Sequence, residues 1–182
     1  MVDMNAIRNY EPRWPGVREL NFADQWRARW VDEQELPAGA PVHVAYAVVL
    51  MDDKGYATRE KGATKWEMLE GEVGGGTAEE FLTKALKERI GGTVARIDMV
   101  GFFECKPTRH NTAFKADAVT VRPMYVVVAK KVVDLPASSN FERRRFPLNE
   151  YMVALRARYP ELADAVGLAT NRYGVLRARG EA

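Results

Sequence analysis

One segment limits the fold more than any other. Thr77-Ala78-Glu79-Glu80 leads into apolar residues at 81, 82, 85, 86 and 90, and Gly91-Gly92 closes the run. Thr77 is a good N-cap, and Glu80 stands three positions on, the capping-box spacing in which each side chain satisfies the other's backbone donor. The apolar positions share one side of a 3.6-residue period and the glycines supply the stop, so a helix is predicted over residues 78–90. A helix with one apolar face needs a second layer to cover it. Directly before it runs Gly71-Glu72-Val73-Gly74-Gly75-Gly76. Gly74, Gly75 and Gly76 allow close backbone approach to a ligand, and the free N–H groups of the helix start form an anion-attracting end. The same triplet also reads as a plain connector, since the lysine and hydroxyl of a P-loop are missing.

The layer that covers the helix is expected to be a sheet. Residues 42–51 form a β-branched and aromatic run closed by the turn Asp52-Asp53-Lys54-Gly55, so residues 56–60 should pair back on it. Residues 65–70 are a short strand candidate before the glycine loop. Beyond the helix, residues 93–105 and 118–133 read as strands, the second broken near Arg122-Pro123. The polar loop 106–112 lies between them. Arg143, Arg144 and Arg145 read as a solvated turn, a helix is expected from Leu148 to Arg158, and Pro160 should start another short one. Residues 1–40 look like a flanking extension: a short helix is predicted over 24–33, and Trp14, Trp26 and Trp30 dock it on the core, make a dimer contact or form a ligand-stacking wall. Residues 41–182 are then one domain, with a mixed sheet packed by helices.

Composition narrows the function classes. A length of 182 residues suits one core, and 47% apolar with 29% charged residues is ordinary for a globular chain. No run approaches the roughly 20 apolar residues of a membrane-spanning helix, and the first residues show no secretory pattern. The single cysteine, Cys105, fits a reducing compartment and reads as a packing residue, so the cytoplasm is expected. A net charge of +2 argues against nucleic acid as a partner. His43 and His110 are far apart without a second ligand at zinc spacing, and His43 reads as a packed histidine.

The order strand, turn, strand, Trp66-Glu67-Met68-Leu69, glycine loop and glycine-terminated helix resembles the Nudix (MutT-like) superfamily, whose signature is G-x5-E-x7-R-E-U-x-E-E-x-G-U. With one residue deleted before Thr77, Gly71 takes the opening glycine, Leu86 the aliphatic position and Gly91 the closing glycine. The likeness covers about residues 42–160, and the box about 71–92. It implies a Nudix-like α/β/α sandwich with a mixed sheet, the box helix on one side and C-terminal helices on the other.

In that family, carboxylates at helix positions i, i+3 and i+4 hold Mg²⁺ or Mn²⁺, which offset the charge of a diphosphate and activate water. Here the three positions are Ala85, Glu88 and Arg89, the signature arginine is Lys84, and the loop glutamate is absent. The resemblance therefore implies a divergent protein that binds a nucleotide-like or other phosphorylated small molecule through Gly74, Gly75, Gly76, Lys84, Arg89 and Arg109, with the usual metal-dependent hydrolysis lost or altered. A second reading keeps a pyrophosphohydrolase with Glu88 as the catalytic acid and a relocated Mg or Mn site at Glu88, Glu72 and Glu104. A third makes the chain a regulatory or protein-interaction module, with homodimerisation through the N-terminal extension.

Overall fold

Val44-Ala45-Tyr46-Ala47-Val48-Val49-Leu50-Met51 is apolar at every position, the pattern of a strand buried on both faces. In the computed structural model, which describes residues 20–182, it is β3 (Val44–Met51), in the middle of an eight-stranded mixed sheet. The other strands are β1 (Leu20–Phe22), β2 (Trp26–Val31), β4 (Lys54–Glu60), β5 (Leu69–Glu72), β6 (Gly92–Pro107), β7 (Thr120–Val132) and β8 (Phe141–Pro147). The order is β1-β2-β6-β7-β3-β4-β8, with β5 paired to the first half of β3. Among the described residues, only β3 and β7 pair in parallel. Their crossover carries the helix α1 (Ala78–Arg89), while α2 (Leu148–Arg158) and α3 (Ala163–Ala178) follow β8.

The strands send alternate side chains to two cores. Ala45, Ala47, Val49, Tyr125 and Val127 meet Leu82, Ala85 and Leu86 of α1 on one face. Tyr46, Val48, Leu50, Met124 and Val126 meet Tyr151, Leu155, Val166 and Tyr173 of α2 and α3 on the other. The architecture is the three-layer α/β/α sandwich implied by the sequence. The hairpin is closed by Asp52 and Asp53, whose φ values of 48° and 59° are those of a two-residue type I′ turn.

Three expectations need correction. Residues 26–31 are a strand, not a helix: Trp26, Ala28 and Trp30 point inward and Arg27 and Arg29 outward, a period of two, and all six residues pair with β6. Trp14 lies outside the described residues. Residues 143–145 are not a solvated turn but the middle of β8, paired with β4. The segment begun by Pro160 is a single 3₁₀ turn, Pro160–Leu162, that runs into the 16-residue α3, so the terminal helix is not short. The expected break at Arg122-Pro123 is partial. β7 stays paired with β6 there, yet the five residues Val42 to Tyr46 lie opposite only four, Val121 to Met124, on the β3 side.

Candidate functional site

The glycine loop leaves β5 at Glu72 and enters α1 at Thr77. Val73 N–H donates to the His43 carbonyl at 3.0 Å, which ties the loop to the start of β3. Gly74 and Gly76 have φ of +67° and +108°, values that favour glycine. A Cβ on Gly74 or Gly75 would meet nothing within 4 Å, so this part of the loop is open, whereas one on Gly76 would stand 2.7 Å from a Glu80 carboxylate oxygen. The capping box is complete: Glu80 N–H donates to Thr77 Oγ1 and Thr77 N–H to Glu80 Oε2, each at 3.1 Å. Those two donors are satisfied internally, one by a hydroxyl and one by a carboxylate, so the helix start is less free for an anion than its sequence suggests. Glu79 accepts from the Tyr125 hydroxyl at 3.1 Å, and burial raises that phenol's pKa.

The three helix positions of the box diverge. Ala85 is buried against the sheet. Glu88 is exposed and sits 3.8 Å from Lys84, an i, i+4 surface pair. Arg89 turns back along the helix: its Nη1 donates to the Glu70 carbonyl at 2.8 Å, and its guanidinium carbon lies 5.8 Å from the Phe81 ring and 5.3 Å from the Phe141 ring. A fixed cation between two aromatic faces thus takes up the carbonyl just before Gly71. The helix then ends under two further groups. Thr58 Oγ1 donates to the Arg89 carbonyl at 3.0 Å, and Arg143 Nη1 donates to the Ile90 carbonyl at 2.8 Å and to the Val133 carbonyl. Arg143 and Phe141 also line a groove of about 600 Å³ with Arg59, Lys61 and Trp66.

The other acids do not join Glu88. Glu72 lies 3.6 Å from His43 Nε2, and Glu104, on β6, lies 3.5 Å from Arg29. Among the described residues no three His, Cys, Asp or Glu side chains come together to hold a metal ion. Mg²⁺ and Mn²⁺ want several oxygen donors around one point. The donors here do not fit them: one helix acid is already beside a lysine, and a guanidinium occupies the neighbouring carbonyl. Arg109 is exposed in the loop after β6, where its Nε donates to His110 at 3.3 Å. That loop returns to β7 beside Val42 and His43, so Arg109, His43 and the glycine loop lie at the same end of the sheet.

A second cluster, unforeseen in the sequence, occupies the opposite face at that end. Arg122 is 9% exposed. Its guanidinium carbon lies 4.8 Å from the Phe22 ring and 5.6 Å from the Trp26 ring, and its Nη1 donates to the Tyr46 hydroxyl at 3.2 Å. Burial, and then the charge of Arg122, lowers the His43 pKa, so its contact with Glu72 is not an ion pair at neutral pH. Burial likewise pushes the Cys105 thiol up to about 11, which makes it inert. One signal for this cluster was available: an arginine inside the Val-rich run of β7.

A sheet with one capped helix on one face, two helices on the other and a glycine loop leading into the first defines the class, an α/β/α sandwich of box-loop type. Solved structures identify it further. A mutant of the Bacillus subtilis pyrophosphohydrolase BsRppH matches with a TM-score of 0.55 and 14% identity, over 81% of this chain and 94% of that one. The NUDIX domain of Shewanella oneidensis NrtR, complexed with ADP ribose, matches with a TM-score of 0.50 and 14% identity, over 95% of this chain and 99% of that one. The chain has the Nudix fold. Neither a sequence-family profile nor a curated protein sequence matches it.

Proposed function

We propose that this Nudix-fold chain binds a nucleotide-like or other phosphorylated small molecule, and that the usual metal-dependent cleavage of a diphosphate is lost or altered. The observation that carries the reading is Arg89, whose guanidinium sits 2.8 Å from the Glu70 carbonyl between two aromatic rings. A permanent cation there repels a divalent metal and supplies positive charge of its own to a phosphate. Lys84, exposed one turn before Glu88, and Arg109, at the same end of the sheet as the loop, add charge that can meet phosphate oxygens. Gly74 and Gly75 leave the loop backbone open to a ligand. ADP ribose is bound by a domain of the same fold, which makes it the first probe to use.

The test is a screen of ADP ribose and nucleoside diphosphate derivatives, run once in a chelator and once with Mg²⁺ or Mn²⁺. Binding in the chelator with no metal-dependent turnover is the expected result. Metal-dependent turnover that Glu88→Gln abolishes would overturn the reading in favour of a pyrophosphohydrolase.

A further inference from the structure

β8 is the last strand on its side of the sheet, and part of its backbone is unused. It runs beside β4 without a register shift, from Phe141 opposite Glu60 to Pro147 opposite Lys54. In the middle of β4, Thr58 N–H donates to the Glu67 carbonyl at 2.9 Å and Glu67 N–H to the Thr58 carbonyl at 2.8 Å, so both Thr58 groups point away from β8. In an antiparallel pair the residue opposite such a position turns its own N–H and C=O outward, and the pattern repeats at every second residue. Thr58 stands opposite Arg143. Arg143 and Arg145 therefore present their N–H and C=O groups at the border of the sheet, and among the described residues nothing bonds to them there. The open series is closed at both ends: Phe141 N–H donates to Ser139 Oγ at 3.1 Å, and Pro147 has no N–H.

The side chains along that border carry one sign of charge. Arg144 and Arg145 are both exposed, and as neighbours on a strand they project to opposite faces. The Arg144 guanidinium carbon lies 4.5 Å from the Phe146 ring centroid, and neither arginine has an acid beside it among the described residues. Glu142, the one acid of the strand, is taken by Arg59 at 2.8 Å, and Arg143 is held by Asp134 at 3.0 Å. A second copy of this chain is a poor match. Antiparallel pairing centred on Arg144 would set Arg143 against Arg145 and Arg144 against itself, and like charges directly opposite one another destabilise a strand pair. The other border strand, Leu20-Asn21-Phe22, has no acid to offer. Charge of this kind protects an edge from itself and from apolar chains, and the same charge selects an acidic one.

We propose that β8 is a docking edge for an extended acidic segment of a partner protein, which adds to the sheet as a further strand. Its backbone bonds to Arg143 and Arg145, and carboxylates on its two faces pair with Arg144 and Arg145. The groove of about 600 Å³ beside Trp66 and Lys61 meets the Phe141 end of this edge and is lined by both Phe141 and Glu142, which lie on opposite faces of β8. It continues the docking line past the end of the strand. This surface does not depend on the phosphate reading, and either can fail without the other.

The experiment follows the fluorescence anisotropy of a dye-labelled, end-blocked peptide of Glu, Val and Thr as the full-length protein is added. Two control peptides divide the effect: one has Gln in place of every Glu, and one is methylated at alternate backbone nitrogens, which keeps the charge and removes strand pairing. The acidic peptide is expected to bind, with each control weaker by on the order of ten-fold or more. Arg145 has no side-chain partner to lose among the described residues, so Arg145→Glu should melt as wild type does and bind the peptide on the order of ten-fold more weakly. Amide exchange on wild type should slow at Arg143 and Arg145 when the peptide is present, and this decides the matter if Arg145→Glu does not fold. No binding of the acidic peptide, equal binding of the methylated one, or unchanged exchange at both amides overturns the proposal. Displacement of the peptide by an equal concentration of a single-stranded oligonucleotide also overturns it, in favour of a general polyanion surface. Dimerisation that slows the same two amides without peptide overturns it in favour of a second copy.

Discussion

The glycine loop with α1 and the Arg122 cluster lie on opposite faces of one sheet, and they are satisfied to very different degrees. Around α1 the named groups have partners: the capping box closes its start, Thr58 and Arg143 close its end, and Arg89 holds a backbone carbonyl. Around Arg122, three buried polar atoms have none. The segment resembling the Nudix box is internally satisfied, while three buried polar atoms without partners, Arg122 Nε, His43 Nδ1 and Thr120 Oγ1, lie on the face built from distant strands. Buried groups without partners are retained at a stability cost, and such places are where function concentrates.

The strongest way to break this contrast is to attack the scaffold. Leu86 is fully buried between α1 and the sheet, and Leu86→Ala is expected to cost about 2–5 kcal/mol, read by urea denaturation. A loss under about 1 kcal/mol would mean that α1 is not packed as described. Thr77→Ala removes half the capping box and should cost about 1 kcal/mol by the same measurement. No change would show that Glu80 alone holds the helix start.

Smaller effects sharpen the other side. Burial lowers the His43 pKa below the ordinary 6.5, so the folded state prefers the neutral ring. At pH above 6.5 this adds nothing unfavourable, and as pH falls from 6.5 toward the lowered value the unfolded chain takes up the proton first and stability is lost. His43→Gln should flatten that part of the profile of melting temperature against pH, and an unchanged slope would place the titration elsewhere. The smallest effect belongs to Glu88→Gln. An exposed i, i+4 pair with Lys84 is worth about 0.3–0.5 kcal/mol, so the variant should melt within a degree or two of wild type. A large loss would mean that Glu88 has a partner other than Lys84.

These differences follow what a sequence can and cannot display. The capping box, the type I′ hairpin and α2 are set by neighbours within four residues, and their residues were legible. The sandwich was legible because the box order resembles a known family. β2 was missed although Trp26, Ala28 and Trp30 alternate with Arg27 and Arg29, since its stabilising partner, β6, lies over 70 residues away. Arg143 was missed for the same reason: its task, holding the Ile90 and Val133 carbonyls, exists only once β8 has paired with β4. At the box, the substitutions themselves were visible, but that Arg89 folds back onto the Glu70 carbonyl depends on Phe81 and Phe141, which no spacing brings together. The Arg122 cluster draws on β1, β2, β3, β7 and the loop after β6, and only an arginine near the start of a valine-rich strand hinted at it.

The central claim is that Arg89 supplies the charge that metals supply in hydrolases of this fold. Calorimetric titration of ADP ribose into wild type and Arg89→Gln, in a chelator, tests it most directly. The account predicts binding by wild type without divalent metal and a loss on the order of ten-fold or more in the variant, the scale of one charge-assisted hydrogen-bond contact. Equal affinity in the two proteins, or binding that appears only when Mg²⁺ or Mn²⁺ is added, would contradict it.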